Sequence, residues 1–258
     1  MIQTLTAVVT GAARGIGLAT TRRLVSQGYR VAMVDIDSAE LDLSSKPFGD
    51  RVVTIPADVS AEREVELMAE LVELEFGTLN VLVNNAAVAE FCPVEEATYE
   101  HWRRIMANNL DSVFLVSQAM MPLLKHAAKT TNSAIVNVAS ISGLRASTLR
   151  VAYGTSKAGV IQLSLQQAAE FAEYGIRVNC VAPGPVNTRL AMNVHTPEIR
   201  ASYHDAIPLN RYGNEMEIAN AICFLCSRDA SYITGQILAA DGGFEATGVG
   251  LPALRQST

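Results

Sequence analysis

Apolar residues gather in seven short strand-like runs: TAVVT (6–10), RVAMVD (30–35), RVVTI (51–55), LNVLVNN (79–85), AIVNVAS (134–140), RVNCVA (177–182) and QILAAD (236–241). Helical patterns separate them, as in AEREVELMAELVELEFG at 61–77 and a long stretch from 98 to 127. Near-continuous apolar runs alternating with helices predict an α/β fold, a Rossmann-type doubly wound parallel sheet of about seven strands with helices on both faces. No repeat, low-complexity tract or linker interrupts the alternation, so 1–258 reads as one domain. Ligands of such sheets bind outside the carboxyl ends of the strands. The residues that follow each run are therefore the first candidates for chemistry.

The first run opens into a turn in which Gly11, Gly15 and Gly17 form G-x-x-x-G-x-G, with Arg14 and Ile16 between them. Glycine there lets the backbone bend tightly and come close to a ligand. The helix that starts inside the turn aims free N–H groups and a positive dipole end at the same spot, which suits a pyrophosphate. The second run ends at Asp35, twenty-four residues after Gly11. A carboxylate near that distance accepts hydrogen bonds from adenosine ribose hydroxyls and repels a 2′-phosphate. Asp37 follows, and Ile36 between them is not basic, so NAD is favoured over NADP. Arg14 is the counter-signal, and a helix N-cap is the plainer reading of Asp35.

VAYGTSKAGV sets Tyr153 and Lys157 four residues apart, with Ser140 thirteen residues before the tyrosine in IVNVASISG. Positions i and i+4 share a helix face, so the phenol and the ammonium line one wall of a site. A cation roughly 5 Å away at an effective dielectric near 20 contributes on the order of 3 kcal/mol. That lowers a phenol from its usual pKa of about 10 towards the range where it exchanges a proton with an alcohol or ketone. Ser142, in the same ASISG, is the rival to Ser140.

Together these motifs resemble the short-chain dehydrogenases/reductases over nearly the whole chain. TGAARGIG at 10–17 is similar to the family's cofactor turn. PADVS at 56–60 matches the segment that sets an acid, here Asp58 followed by Val59, beside adenine. NNAA at 84–87 resembles the NNAG strand end, with Asn85 and Ala86 against the cofactor and Ala87 replacing the usual glycine. NNLDSVF at 108–114 carries Asn109 in the family's Asn-Leu position, and ITGQILAADGG at 233–243 matches the last strand. RVNCVAPGPVNT at 177–188 resembles the strand and Pro183-Gly184 turn below the nicotinamide. Ser140, Tyr153 and Lys157 match the catalytic trio. The resemblance implies NAD across the carboxyl edge of the sheet and Tyr153 as acid/base. Lys157 would also bind the nicotinamide ribose, and Ser140 would polarise the substrate oxygen. Asn109 would hold a water leading from Lys157 to solvent, while Thr188 and the Val186 backbone would fix the carboxamide. It further implies a homotetramer acting on a small secondary alcohol, polyol or sugar, or the matching ketone. A 3-oxoacyl thioester reductase is the alternative within the family, and Asp35 speaks against the NADPH that those enzymes prefer. A non-catalytic dinucleotide sensor is the alternative of another class. The intact set of Asn109, Ser140, Tyr153 and Lys157 speaks against that one.

Bulk properties narrow the partners. At 258 residues, with 49% hydrophobic and 18% charged, the chain can bury one sizeable core. A net charge of −6 without a basic run gives no electrostatic support for nucleic acid. No apolar stretch approaches a membrane span, and the N-terminus runs directly into the first strand, so a cytoplasmic protein is expected. Cys223 and Cys226 form C-x-x-C within IANAICFLCS, which reads as buried helix cysteines rather than a zinc or redox site. Cys92 and Cys180 complete a set that fits a reducing compartment, and no metal is expected. The irregular segment 189–212, with Pro197, Pro208, His195 and His204, is expected to overhang the site as a substrate lid. Leu144, Arg145, Glu90, Pro185 and Met192 are candidate substrate contacts, Arg145 suiting an anionic group. The family resemblance implies that the tail 244–258 packs across a subunit interface.

Overall fold

The computed structural model describes residues 4–188 and 195–248. Within them one sheet holds β1 (Thr6–Thr10), β2 (Arg30–Asp35), β3 (Val52–Pro56), β4 (Val81–Asn84), β5 (Ser133–Val138), β6 (Ile176–Pro183) and β7 (Ile237–Ala240). Their order is β3-β2-β1-β4-β5-β6-β7, and every pairing is parallel. The expected strands are all present, the inner ones buried on both faces and the edge strands β3 and β7 only partly. Side chains alternate along a strand, so Ala7, Val9, Val31, Met33, Val81 and Val83 serve one core. Their neighbours Val8, Ala32, Val34, Leu82, Ile135 and Val178 serve the other.

Helices cover both cores. Leu24 of α1 (Gly15–Ser26), Leu41 of α2 (Ser38–Ser45) and Ile218, Ile222 and Cys223 of α9 (Glu215–Cys226) close the first. Val65, Met68 and Val72 of α3 (Glu62–Phe76), Met120 and Leu124 of α5 (Ser112–Ala128) and Ala168 of α7 (Val151–Phe171) close the second. Cys223 and Cys226 are therefore core residues, and the described cysteines are free thiols.

The stretch from 98 to 127 is not one continuous α-helix. It divides into α4 (Tyr99–Met106), a π-helical turn (Ala107–Asp111) and α5. A π turn re-aims the residues it contains and is a recurrent local feature of functional regions. Between β5 and α7 lies the short α6 (Ile141–Leu144), and α8 (Pro197–Ala206) belongs to the segment expected as a lid. Strand order reverses between β1 and β4, so loops after neighbouring strands diverge there and leave a crevice at their carboxyl ends. No described helix is long and apolar enough to cross a membrane.

Candidate active site

A cleft of about 620 Å³ runs along that crevice. At one end lies the glycine-rich turn. Gly11 adopts φ +63°, a conformation that L side chains rarely take. A Cβ on Gly17 would lie 2.0 Å from the Gly11 carbonyl oxygen, so α1 starts where only glycine fits. Gly17 packs beneath the turn, whereas Gly11, Arg14, Gly15 and Ile16 line the cleft. Asn85 fastens the turn from below, its Nδ2 donating to the carbonyls of Thr10 and Gly11 at 3.0 and 3.1 Å. Thr10 Oγ1 in turn accepts the N–H groups of Asn85 and Ala86. Ala87 occupies its position without positive φ, so the substitution for glycine brings no backbone strain.

Asp35 does not cap a helix; Asp37 does, accepting the Glu40 N–H at the start of α2. The two Asp35 oxygens accept the Ala13 and Asp37 N–H groups, both at 3.0 Å. A carboxylate offers about four acceptor sites, so capacity remains for two ribose hydroxyls. Arg14 is ion-paired with Asp37. The Glu40 N–H and then the Arg14 guanidinium hold the Asp37 carboxyl below its ordinary range. Ile36, Asp58 and Val59 complete this wall. Asp58 shapes its own turn by accepting the Ser60 N–H and hydroxyl.

At the other end stand Ser140, Tyr153 and Lys157. Ser140 Oγ accepts the Ser142 N–H at 3.1 Å, which leaves its proton to donate. Ser142 Oγ is engaged with Ser147 Oγ at 3.0 Å, so Ser140 is the better placed of the two rivals. Tyr153 and Lys157 share one face of α7, yet the amine lies 6.0 Å from the phenol ring centroid and donates to the Val138 carbonyl at 2.8 Å. Burial lowers the Lys157 pKa to about 8. Burial also raises the Tyr153 phenol, opposed by hydrogen bonding from Ser140 and by the charge of Arg150. The expected depression of the phenol by the Lys157 ammonium is therefore corrected. Both groups are desolvated without an acidic partner, desolvation dominates, and the cation acting on the phenol is Arg150.

Asn109 stands behind these groups. It is fully buried in the π turn and does not line the cleft. Its Oδ1 accepts the Val88 N–H, and its Nδ2 donates to the Val88 carbonyl and to Ser156 Oγ. The side-chain amide is thus committed to protein groups. Ser156 Oγ donates to the Tyr153 carbonyl, so Asn109 acts as a positioning residue between the loop after β4 and α7.

The turn after β6 forms another wall of the cleft. Pro183, Gly184, Pro185, Val186 and Thr188 line the cleft. A Cβ on Gly184 would meet Asp241 at 2.7 Å. Val186 bridges to Gly213, which ties this wall to the start of α9.

Comparison with known proteins agrees with this geometry. The family profile described as "Enoyl-(Acyl carrier protein) reductase" matches residues 11–245. The chain is 38% identical over 243 residues to the cis-4-hydroxycyclohexanecarboxylate dehydrogenase of Sinomonas cyclohexanicum, covering 93% of this chain and 96% of that one. It is 36% identical over 243 residues to a 3-oxoacyl-[acyl-carrier-protein] reductase of Chlamydia muridarum, covering 92% and 96%. Among solved structures, levodione reductase superposes with a TM-score of 0.89 at 29% identity, over 95% of this chain and 99% of that one. The chain belongs to the short-chain dehydrogenases/reductases. It is thus an oxidoreductase of CH–OH groups that works with a nicotinamide cofactor.

Several candidate substrate contacts fall elsewhere in this dehydrogenase/reductase. Arg145 is ion-paired with Glu245 at 2.7 Å, and Glu90 with Arg104 at 2.6 Å; neither lines the cleft. Leu144 is likewise outside the lining, and Met192 lies outside the described residues. From the segment expected as a lid, His195 and Tyr203 do line the cleft. His195 Nδ1 pairs with the Tyr212 hydroxyl at 2.9 Å, and its ring stacks on Tyr203. His204 stays outside the lining, against the edge of Tyr212. The start of the expected tail folds back on its own chain, Phe244 against Tyr203 and Glu245 against Arg145. Residues 249–258 lie outside the described set. Arg150 and Tyr203 are among the lining residues that the sequence motifs missed; for Arg150, its place three residues before Tyr153 is the available signal.

Proposed function

We propose that the protein transfers hydride between NAD and a secondary alcohol, polyol or sugar, or the matching ketone, with Tyr153 as acid/base. One observation carries this reading: a single cleft joins an acidic, internally paired end at Asp35 to an end that holds a phenol, a hydroxyl and a buried amine. NAD, when bound, supplies the carbon that accepts hydride. The residues do the rest. Tyr153, ionised, takes the alcohol proton; Ser140 donates to the substrate oxygen and stabilises the charge that develops on it. Lys157 binds ribose hydroxyls, and the charge of Arg150 favours the phenolate. NAD is preferred over NADP because a 2′-phosphate would meet Asp35 and Asp37, while Arg14 is already engaged by Asp37.

The likeness to a 3-oxoacyl-[acyl-carrier-protein] reductase favours a second reading, reduction of an acyl thioester. The two carboxylates at the adenosine end weigh against the NADPH that this alternative expects. A homotetramer in the cytoplasm completes the proposal, and light scattering of the purified protein tests the assembly. The activity is tested by absorbance at 340 nm with NAD or NADP against hydroxy acids, polyols, sugars and simple secondary alcohols. NADH formation with one substrate group is expected. Turnover only with NADPH and 3-oxoacyl thioesters would replace the first reading by the second.

A further inference from the structure

Arg150 reaches the proton-transfer step only through its charge on the Tyr153 phenol, and no role so far assigned to it touches the substrate. Three residues before Tyr153, at the start of α7, it lines the cleft together with His195 and Tyr203. Its guanidinium lies 3.9 Å from the ring centroid of Phe91 and 5.2 Å from that of Tyr153. Stacking of this kind fixes the planar cation without neutralising it. Among the described residues no carboxylate pairs with it. The nearby acids are taken, Glu90 by Arg104 and Glu245 by Arg145. Residues 1–3, 189–194 and 249–258 contain no Asp or Glu.

Two further observations show that this cation is held in place. Leu149, immediately before it, has φ +60°, a left-handed conformation that a leucine adopts only under constraint. Cys92 donates its N–H to the Leu149 carbonyl at 2.9 Å and bridges to Arg150, which brings Phe91 to the guanidinium. Charge is also distributed unevenly along the cleft. Its acidic lining residues are Asp35, Asp37 and Asp58, all at the adenosine end. The catalytic end offers the cations Arg150 and Lys157, while burial and the charges of Arg150 and Arg200 favour the neutral form of His195. A half-buried, unpaired cation is costly unless a ligand supplies the opposite charge.

We propose that Arg150 recognises an oxyanion on the substrate, so that the enzyme acts on a secondary alcohol, or the matching ketone, bearing a carboxylate or sulfonate a few bonds from the reacting carbon. This rests on the oxidoreductase reading above. A substrate anion would complete the ion pair, and the short separation between Arg150 and Tyr153 would hold the carbinol oxygen at the phenol.

The test measures kcat/KM with NAD on matched pairs: 4-hydroxycyclohexanecarboxylate against its uncharged carboxamide, and a hydroxyalkanesulfonate against its sulfonamide. The wild type is expected to favour the anion in one pair by about 30- to 100-fold, and that pair identifies the anion. Arg150→Met is expected to bring the ratio close to one, and Arg150→Lys to restore part of it. The ratio is insensitive to a general loss of folded protein or of Tyr153 basicity, which act on both members of a pair. Calorimetric titration of cyclohexanecarboxylate, ethanesulfonate and their neutral amides into the NADH-loaded protein reads the same preference without turnover. An anion preference lost in Arg150→Met supports the proposal. A ratio near one in the wild type, or one unchanged in Arg150→Met, overturns it. Anion binding through Arg150 with no hydride transfer to any substrate would overturn the oxidoreductase reading and leave this assignment standing.

Discussion

At the end of the cleft proposed for adenosine the charges of the turn are matched within the chain. Arg14 meets Asp37, Asp35 accepts two backbone N–H groups, and Asp37 caps α2. At the catalytic end Lys157 donates to the Val138 carbonyl, Tyr153 is raised by burial, and Arg150 rests on aromatic faces. The first end is assembled before any ligand arrives and recognises by shape and by repulsion. The second holds ionisable groups where their charged forms are penalised, and it is relieved by what binds there. Titratable groups perturbed by burial inside a cleft mark chemistry, and such sites are stabilised less than the sequence could have allowed.

The contrast is broken most severely at Tyr153. Tyr153→Phe removes the proton carrier, and turnover is expected to fall by about 10³-fold or more while calorimetry finds NAD binding within about twofold. Retained turnover would remove the phenol from the mechanism. At the matched end, Gly17→Ala sets a methyl group against the Gly11 carbonyl and Asn85 Nδ2, at 2.0 and 2.7 Å. The turn must open, so NAD affinity is expected to drop by about 100-fold, together with stability by ~1–3 kcal/mol. Unchanged affinity would show that the turn does not shape the cofactor site. The smallest effect is expected for Asp35→Ala, where the ratio of NADPH to NADH use rises about tenfold because Asp37 remains. A constant ratio would take Asp35 out of cofactor selection.

The two ends also differ in how legible they were in the sequence. The glycine-rich turn and Asp35 are set by local geometry, a strand end and a helix start, so spacing alone located them. The strands were equally plain, since burial on both faces gives near-continuous apolar runs. The catalytic end depends on contacts between distant segments. Arg145 looked free for substrate until Glu245, a hundred residues away, paired with it. Arg150 acquires its place through Phe91 and Cys92 from the loop after β4, which leaves no periodic mark near Tyr153. Asn109 lies in a π turn, and one extra residue in a helical turn does not disturb an apolar pattern enough to be read. The expected lowering of the Tyr153 phenol failed for a related reason: spacing on a helix gives proximity, but it does not reveal how dry the surroundings are.

Lys157→Met gives the most direct test of the claim that charge is held at the catalytic end for function at the expense of stability. Lys157 is 2% exposed, and its pKa falls from 10.5 to about 8 on folding. Between those values the unfolded chain binds more protons than the folded one, so this group's contribution to stability rises with pH across that window and is least favourable below about pH 8. The shift corresponds to on the order of 3 kcal/mol. The measurement is the melting temperature of the cofactor-free protein at pH 7 and pH 10, paired with turnover at pH 7. The account predicts that Lys157→Met melts above the wild type at pH 7, with the gap narrowing at pH 10, while turnover is lost. A variant that melts below the wild type at pH 7 and keeps its turnover would contradict it.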